Sequence, residues 1–583
     1  MITQRGGIAD DSTIYGDRAA SMLSLQSTEA HRLIFVTNRG PVEHSFGPNG
    51  VPIAKRGSGG VVSGLLAASC GRPVTWISVA MSDADRALAQ AGTTINAAAD
   101  VENLTARLVY VAPKTYRRYY DRVSNKLLWF VQHGLPHRRA ALSESIRRDW
   151  SEAYVAVNAA IADAVVAELR AQGEDTPVIL HDYHLYLAAA MIRAEVPQAR
   201  LLHFTHIPWP SPDDWALVPD EIQHDIYAGL AACDVLGFQT PRDARNFLEG
   251  ARWNLSGAVA SSDPDELIWR WHRTEVRAYP IALTPEAVRT SASMPEAEAA
   301  AARIRKELHL DKGRKLIVRV DRVEPAKNIV RGFQAYERLL VAHPEWHRRV
   351  VFLALLVPSR EGLRFYRNYA ERVRAIVDRI NQRFGTPDWQ PVVTIYGNDR
   401  ARALACMRDF DVLLVNSRAD GMNLVAKEGG ILNRRNGVIV LSHRAGAYSQ
   451  LRHGVLGISP ASVRDTTDAL LVALTMPEAK RALLARHVRE VLENEDANKW
   501  LGRQLAHLMR AGVSRVRKSL VFNSAGTRQD KHAATRQAWP IPAASRMVFD
   551  VRDQAAHTMS HLPGASPVNA QGMTMASGEL ELS

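Results

Sequence analysis

Short runs of consecutive apolar residues alternate along this chain with longer segments whose apolar positions recur every three or four residues. Leu33-Ile-Phe-Val36, Val178-Ile-Leu180 and Leu201-Leu-His-Phe204 are runs of the first kind. They are apolar at nearly every position, not at alternate ones, which suits strands buried on both faces. Residues 185–195 are a segment of the second kind and fit a helix laid over such strands. Repeated strand-then-helix units predict parallel sheets with helices on both faces.

The alternation breaks between Pro280 and Pro295, where Pro, Ser, Thr and Ala dominate, and a linker is expected there. A helix over 296–308 and a turn at Asp311-Lys-Gly313 then open a second series. Its predicted strands are Leu316-Ile-Val-Arg-Val320, 350–356, 392–396, 412–415 and 438–441. A helical pattern from about 478 to 516 follows. Residues 1–30 and 521–583 are polar or low in periodicity and are expected to be disordered. The expected fold is α/β, with two Rossmann-like doubly wound domains (31–282 and 297–480) facing a cleft and helices at 481–520 closing the structure.

With 583 residues, 46% of them hydrophobic, the chain can bury more than one core. No stretch approaches the roughly 20 apolar residues of a membrane span. Asp10, Asp11 and Asp17 interrupt the start, so no signal peptide is expected. Cys70, Cys233 and Cys406 are far apart and lack metal-ligand spacing, which points to a reducing cytoplasm and no disulfide framework. The formal net charge is +12, but the cations are dispersed among acids and no nucleic-acid module accompanies them. Neither nucleic acid nor membrane is an expected partner. Surplus positive charge instead suits small substrates that carry phosphate.

The candidate chemistry sits where predicted strands end. Arg322-Val-Glu-Pro-Ala-Lys327 follows one strand, with Pro325 expected in the first turn of the next helix. Arg322 offers a planar fork to phosphate oxygens and Lys327 a mobile point charge. Asp420-Gly-Met-Asn-Leu-Val-Ala-Lys-Glu428 follows another strand, with Asp420 or Asn423 as helix cap. Leading amides there could hold an anion, and Glu428, one turn in, could accept from a ribose diol or simply pair with an Arg or Lys. Open α/β sheets bind ligands at such strand ends. Gly57-Ser-Gly-Gly60 opens a helical run without being a dinucleotide fingerprint. The histidines of His181-Asp-Tyr-His184 and His203 to His206 read as hydrogen-bonding groups more readily than as metal ligands. Trp209 and Trp215 fit a sugar-stacking platform or a core equally well.

In this order, the motifs resemble the trehalose-6-phosphate synthase family of retaining GT-B glycosyltransferases over about residues 32–510. The matching residues are Thr37-Asn-Arg39, Gly59-Gly60, Tyr119-Tyr120, Ser124-Asn125, Trp129, His181 to His184, His206-Ile-Pro208, Gly237 to Thr240, Arg322, Lys327, Ser359-Arg360 and Asp420 to Glu428. The resemblance implies that Arg39, Tyr120, Trp129, Asp182 and Arg360 hold the acceptor sugar phosphate. It implies a donor diphosphate site at Gly59, Gly60, Arg322 and Lys327, with Asp420, Gly421, Met422, Asn423, Leu424, Val425 and Glu428 on the glucose and nucleotide. His206 would lie beside the reacting sugar. It further implies glucose transfer from UDP- or GDP-glucose to glucose 6-phosphate, with no metal and no cofactor. Glu324, Asn328, Ala282, His443-Arg444 and Gln450 depart from the common family pattern, and the forms Pro325-Ala-Lys-Asn328 and Pro208-Trp-Pro-Ser211 resemble a divergent branch that couples cyclitols. Glycerol 3-phosphate or a cyclitol phosphate therefore stays open as acceptor, as does a non-catalytic sugar-nucleotide-binding regulator. A homo-oligomer is also left open.

Overall fold

The computed structural model describes residues 32–56, 60–69, 71–93, 95–96, 103–135, 144–262 and 265–524. The tail over 1–30, the remainder of the C-terminal tail, Cys70 and Gly57 to Gly59 lie outside the described residues.

The first half contributes β1 (Leu33–Thr37), β2 (Val42–Phe46), β3 (Pro52–Arg56), β4 (Val74–Val79), β5 (Ile95–Asn96), β6 (Leu104–Val109), β7 (Val178–His181), β8 (Leu201–Phe204), β9 (Val235–Phe238), β10 (Val259–Ser262), β11 (Asp265–Trp269) and β12 (His272–Ala278). Apart from the separate β2–β3 hairpin they form one sheet in the order β10-β11-β12-β9-β8-β7-β1-β4-β6-β5. Its centre is parallel, and only the edge pairs β10–β11, β11–β12 and β5–β6 are antiparallel. Every residue of β1, β4, β7, β8 and β9 is buried, the condition that makes such strands apolar throughout.

The second half contributes β13 (Lys315–Arg322), β14 (Val350–Val357), β15 (Val392–Tyr396), β16 (Val412–Val415), β17 (Val438–Ser442) and β18 (Leu456–Ile458). They form an all-parallel sheet in the order β15-β14-β13-β16-β17-β18. In both sheets the order reverses direction beside the first strand of the series, so loops after neighbouring strands diverge and open a crevice.

Among the described residues three apolar clusters hold these layers. One packs on the first sheet and one on the outer face of the second. The third runs from Leu33, Phe35 and Phe204 through Leu316, Val318 and Leu413 to Trp500 and Leu505, so the two halves share a core. The last helix, Ala497–Ser524, returns to the first sheet, where the Trp500 indole donates to the Tyr279 carbonyl at 3.0 Å. That helix extends beyond the boundary expected at 520. The expected linker is also more ordered than its composition suggests. Pro285–Ala292 is a helix with proline at its first turn, and it buries Val288 and Ala292. Trp209 and Trp215 lie fully inside the first core, against Tyr227 and, for Trp209, Phe238 and Phe247, so neither is a sugar platform. Among the described residues no helix is long and apolar enough to cross a membrane.

Candidate active site

Strand ends of the first sheet build one wall of the crevice. Thr37 closes β1: its hydroxyl donates to the Arg39 carbonyl at 2.5 Å and accepts from the Trp76 indole at 2.7 Å. The next residues are thereby held in place. Asn38 bonds both Tyr116 and Tyr119, and the Arg39 guanidinium reaches the Tyr120 hydroxyl at 3.4 Å.

Tyr119, Tyr120 and Trp129 come from one continuous helical stretch, of which Arg118–Leu128 is π-helical. Nine residues of α-helix make two and a half turns and would set Tyr120 and Trp129 on opposite faces. The wider winding brings both rings to the same turn after β7. Tyr120 stacks on His184 with centroids 5.8 Å apart, and Trp129 packs against Tyr183 at 5.7 Å. Long π segments are uncommon and concentrate at functional sites.

Asp182 follows β7 with φ +72°, a left-handed conformation that Asp tolerates better than most residues. Its carboxylate accepts from the His206 amide at 3.2 Å. Burial raises its pKa, and backbone amides of Tyr183, His206 and Ile207 together with the Arg322 charge pull it part of the way back, leaving it at about 7. The His206 and His181 rings share a 3.2 Å hydrogen bond, and burial lowers the pKa of both. Among the described residues no group of three or more His, Cys, Asp or Glu could hold a metal ion.

The opposite wall comes from the second sheet. β13 ends at Arg322, whose side chain is 48% exposed. Pro325 does not start the next α-helix, as its position predicts; Pro325–Lys327 is a single 3-10 turn. Asn328, at φ +58°, reverses the chain before the helix Ile329–Ala342, and its amide donates to the carbonyls of Asn416 and Pro460. Lys327 is thus turned from the helix axis toward the loop after β16. There its ammonium donates to Asp420 at 2.5 Å, and Ser417 and Asn423 donate to the same carboxylate oxygen. Burial would raise the Asp420 pKa, but Lys327 and the Asn423 hydrogen bond hold it below the usual value.

Asp420 therefore does not cap the following helix. Asn423 does, accepting from the Ala426 amide at 3.0 Å, and Leu424–Leu432 follows. The Asp420 to Met422 backbone is pinned by Gly446 and Ala447, which donate to the carbonyls of Asp420 and Met422. The Met422 side chain is buried in the shared core, with Leu424 and Val425 packed beside it. Glu428 is nearly buried and pairs with Arg400 at 3.2 Å, the pairing weighed against a ribose contact. Burial raises its pKa. Gly60 opens the helix Gly60–Ala68, while Gly59 lies outside the described residues.

The walls meet at Trp129. The Arg360 guanidinium lies 4.3 Å and that of Arg322 5.7 Å from its ring centroid. Arg418 of the second half donates to the Gly134 carbonyl of the first at 2.9 Å. Two further residues belong here to which the motif reading gave no role. His133 stacks on Trp129 at 3.8 Å, and burial lowers its pKa to about 4, keeping it neutral beside Asp420, Glu324 and Lys327. Glu324 is a wholly buried carboxylate beside Arg322 and Arg360. Glu324 was legible as a carboxylate between two cations of one motif; nothing local marks His133.

Residues 31–510 match the sequence model of glycosyltransferase family 20. The chain is 30% identical over 468 residues to an alpha,alpha-trehalose-phosphate synthase (UDP-forming) of Schizosaccharomyces pombe, covering 79% of this chain and 86% of that protein. It is 31% identical over 421 residues to the trehalose-6-phosphate synthase of an Enterobacter species, covering 72% and 85%. Among solved structures, the synthase of Burkholderia xenovorans in complex with glucose-6-phosphate superposes with a TM-score of 0.70 at 30% identity, covering 82% of this chain and 100% of that one. The Escherichia coli protein bound with UDP-2-fluoro glucose gives 0.70 at 27% identity, covering 82% and 98%.

Proposed function

The chain belongs to glycosyltransferase family 20, and we propose that it transfers glucose from UDP-glucose to glucose 6-phosphate, forming trehalose 6-phosphate with retention. The observation that carries this reading is the placement of Arg322, Arg360 and the Lys327–Asp420 pair of the second half across a crevice from Asp182 and Trp129 of the first.

In this reading residues 297–480 bind the donor. Arg322 and Lys327, with Gly59 and Gly60, meet the diphosphate; Glu428 and the Leu424–Val425 backbone take ribose and base; Asp420 orients the glucose hydroxyls. Residues 31–282 bind the acceptor, with Arg39 and Tyr120 on the phosphate and Trp129 and Asp182 along the sugar; Arg360 reaches the same phosphate from the second half. His206 borders the reacting carbon.

The bond from glucose C1 to the diphosphate oxygen breaks as one from C1 to the acceptor hydroxyl forms on the same face. The acceptor proton passes to the departing phosphate oxygen, which the two cations stabilise as it gains charge. One such preorganised contact is worth about 3–4 kcal/mol of barrier, and alignment of the reactants up to roughly 7–11 kcal/mol. Three N–H bonds let Lys327 keep Asp420 while meeting a phosphate oxygen. Closure of the two halves on the substrates excludes water, whose attack would waste the donor. On this reading the enzyme works in the cytoplasm and needs no added cofactor.

The test is turnover with purified protein. UDP-glucose is offered with glucose 6-phosphate, glycerol 3-phosphate and a cyclitol phosphate in turn, and the product is identified by mass and anomeric configuration. A disaccharide phosphate formed with glucose 6-phosphate alone is the expected result. Transfer only to another acceptor, or none at all, overturns the assignment.

A further inference from the structure

We infer that Glu324 is a positioning residue which fixes the spacing between the two guanidiniums that meet substrate phosphates, Arg322 on the donor side and Arg360 on the acceptor side. The inference rests on the reading of the site given above.

One carboxylate oxygen of Glu324 serves three partners. It accepts from the Ser359 hydroxyl at 2.7 Å and from Arg360 at 3.2 Å, and lies 3.3 Å from the Arg322 guanidinium. The side chain is 0% exposed, and its other oxygen has no hydrogen-bond partner among the described residues. A buried carboxylate survives only where fixed positive charge surrounds it. Burial alone would raise its pKa, yet Arg322 and Arg360, helped by Ser359, bring it down to about 2.

The two cations come from different segments, Arg322 at the end of β13 and Arg360 in the loop after β14. Left alone they would repel each other and spread. Glu324 offsets that repulsion and gives both the same anchor. Each is also steadied by the Trp129 face, and Arg360 further by the Tyr366 hydroxyl at 2.9 Å. Arg360 sits at φ +48°, so its loop adopts an unusual backbone at this point. Both phosphate-facing groups thus depend on one buried charge, and disturbing that charge displaces both together.

The experiment measures binding of UDP and of glucose 6-phosphate to the full chain by calorimetry, with uridine as a phosphate-free competitor. Glu324→Gln, close in shape but uncharged, is expected to weaken UDP and glucose 6-phosphate each on the order of tenfold, the effect of one disturbed charge-assisted hydrogen bond. Uridine binding is expected to stay unchanged. Glu324→Asp, which keeps the charge on a shorter arm, is expected to recover part of both losses. If the Gln variant fails to fold, the Asp variant carries the test alone, with a smaller loss for both ligands. Loss for one ligand only, loss for neither, or an equal loss for uridine overturns the shared anchor. Wild-type protein that binds neither phosphate ligand overturns the reading of the site and the inference with it.

Discussion

The carbonyl oxygen of His206 lies 1.8 Å from the position a Cβ on residue 421 would occupy, so at Gly421 the backbone of the second half packs directly on that of the first. His206 ends the wall that carries Asp182, and Gly421 sits beside the Asp420 that holds Lys327. Backbone against backbone leaves no side chain to bend away. Gly421→Ala is therefore expected to wedge the walls apart and reduce kcat/KM on the order of 100-fold, the scale of a displacement of about 1 Å at a reacting centre. Steady-state kinetics checks this, and a variant within threefold of wild type would show that the approach has no bearing on transfer.

Lys327→Ala removes the charge that offsets buried Asp420. Breaking such a pair from one side costs about 3–5 kcal/mol of stability, and the departing diphosphate loses one of its two cations. The expected outcome is a kcat lower by about 100- to 1,000-fold with acceptor KM nearly unchanged. A variant with near-normal kcat would take Lys327 out of the chemistry.

Asp182 supplies a pH signature. Its pKa is raised from 3.8 to about 7 in the folded protein. The folded state therefore holds a proton that the unfolded state has lost between those values. The stability linked to this group is fully present below about pH 4 and is lost as pH rises through about 7. Asp182→Asn, which tolerates the same positive φ, should show a flatter fall in stability over that window when melting is followed by calorimetry. If acceptor binding needs the carboxylate, kcat/KM for the acceptor should rise as pH passes 7. A profile flat from pH 5 to 8 would exclude it as the titrating group.

Glu428 and Arg400 separate two readings of one ion pair. Arg400 is 62% exposed, and exposed pairs contribute little. Arg400→Ala should leave donor KM within about twofold, whereas Glu428→Gln should raise it roughly tenfold through a lost ribose hydrogen bond. Acceptor KM should hold in both. Equal, small effects from the two changes would mean that Glu428 serves only the pair.

The central strands were legible because strands buried on both faces must be apolar throughout, as in Val178-Ile-Leu180 and Leu201 to Phe204. The edge strands β10 to β12 carry polar and charged residues on one face and escaped notice. So did the Pro285–Ala292 helix, hidden by a composition that resembles a linker. The π winding of Arg118–Leu128 has no simple sequence period to betray it, although it decides where Tyr120 and Trp129 point.

What the sequence determined by itself was the alternation of strand and helix, and with it the delivery of Asp182, His206, Arg322, Arg360 and Asp420 to strand ends. Parallel strands force every following loop to the same edge of a sheet, so the parallel alternation gathers these groups there. Only the tertiary structure decided how they are paired. Lys327 meets Asp420, Glu324 spans Arg322 and Arg360, and Asp182 is held close to neutral pH. Charge interactions depend on distance and on exclusion of water, and both arise from packing between segments far apart in the chain.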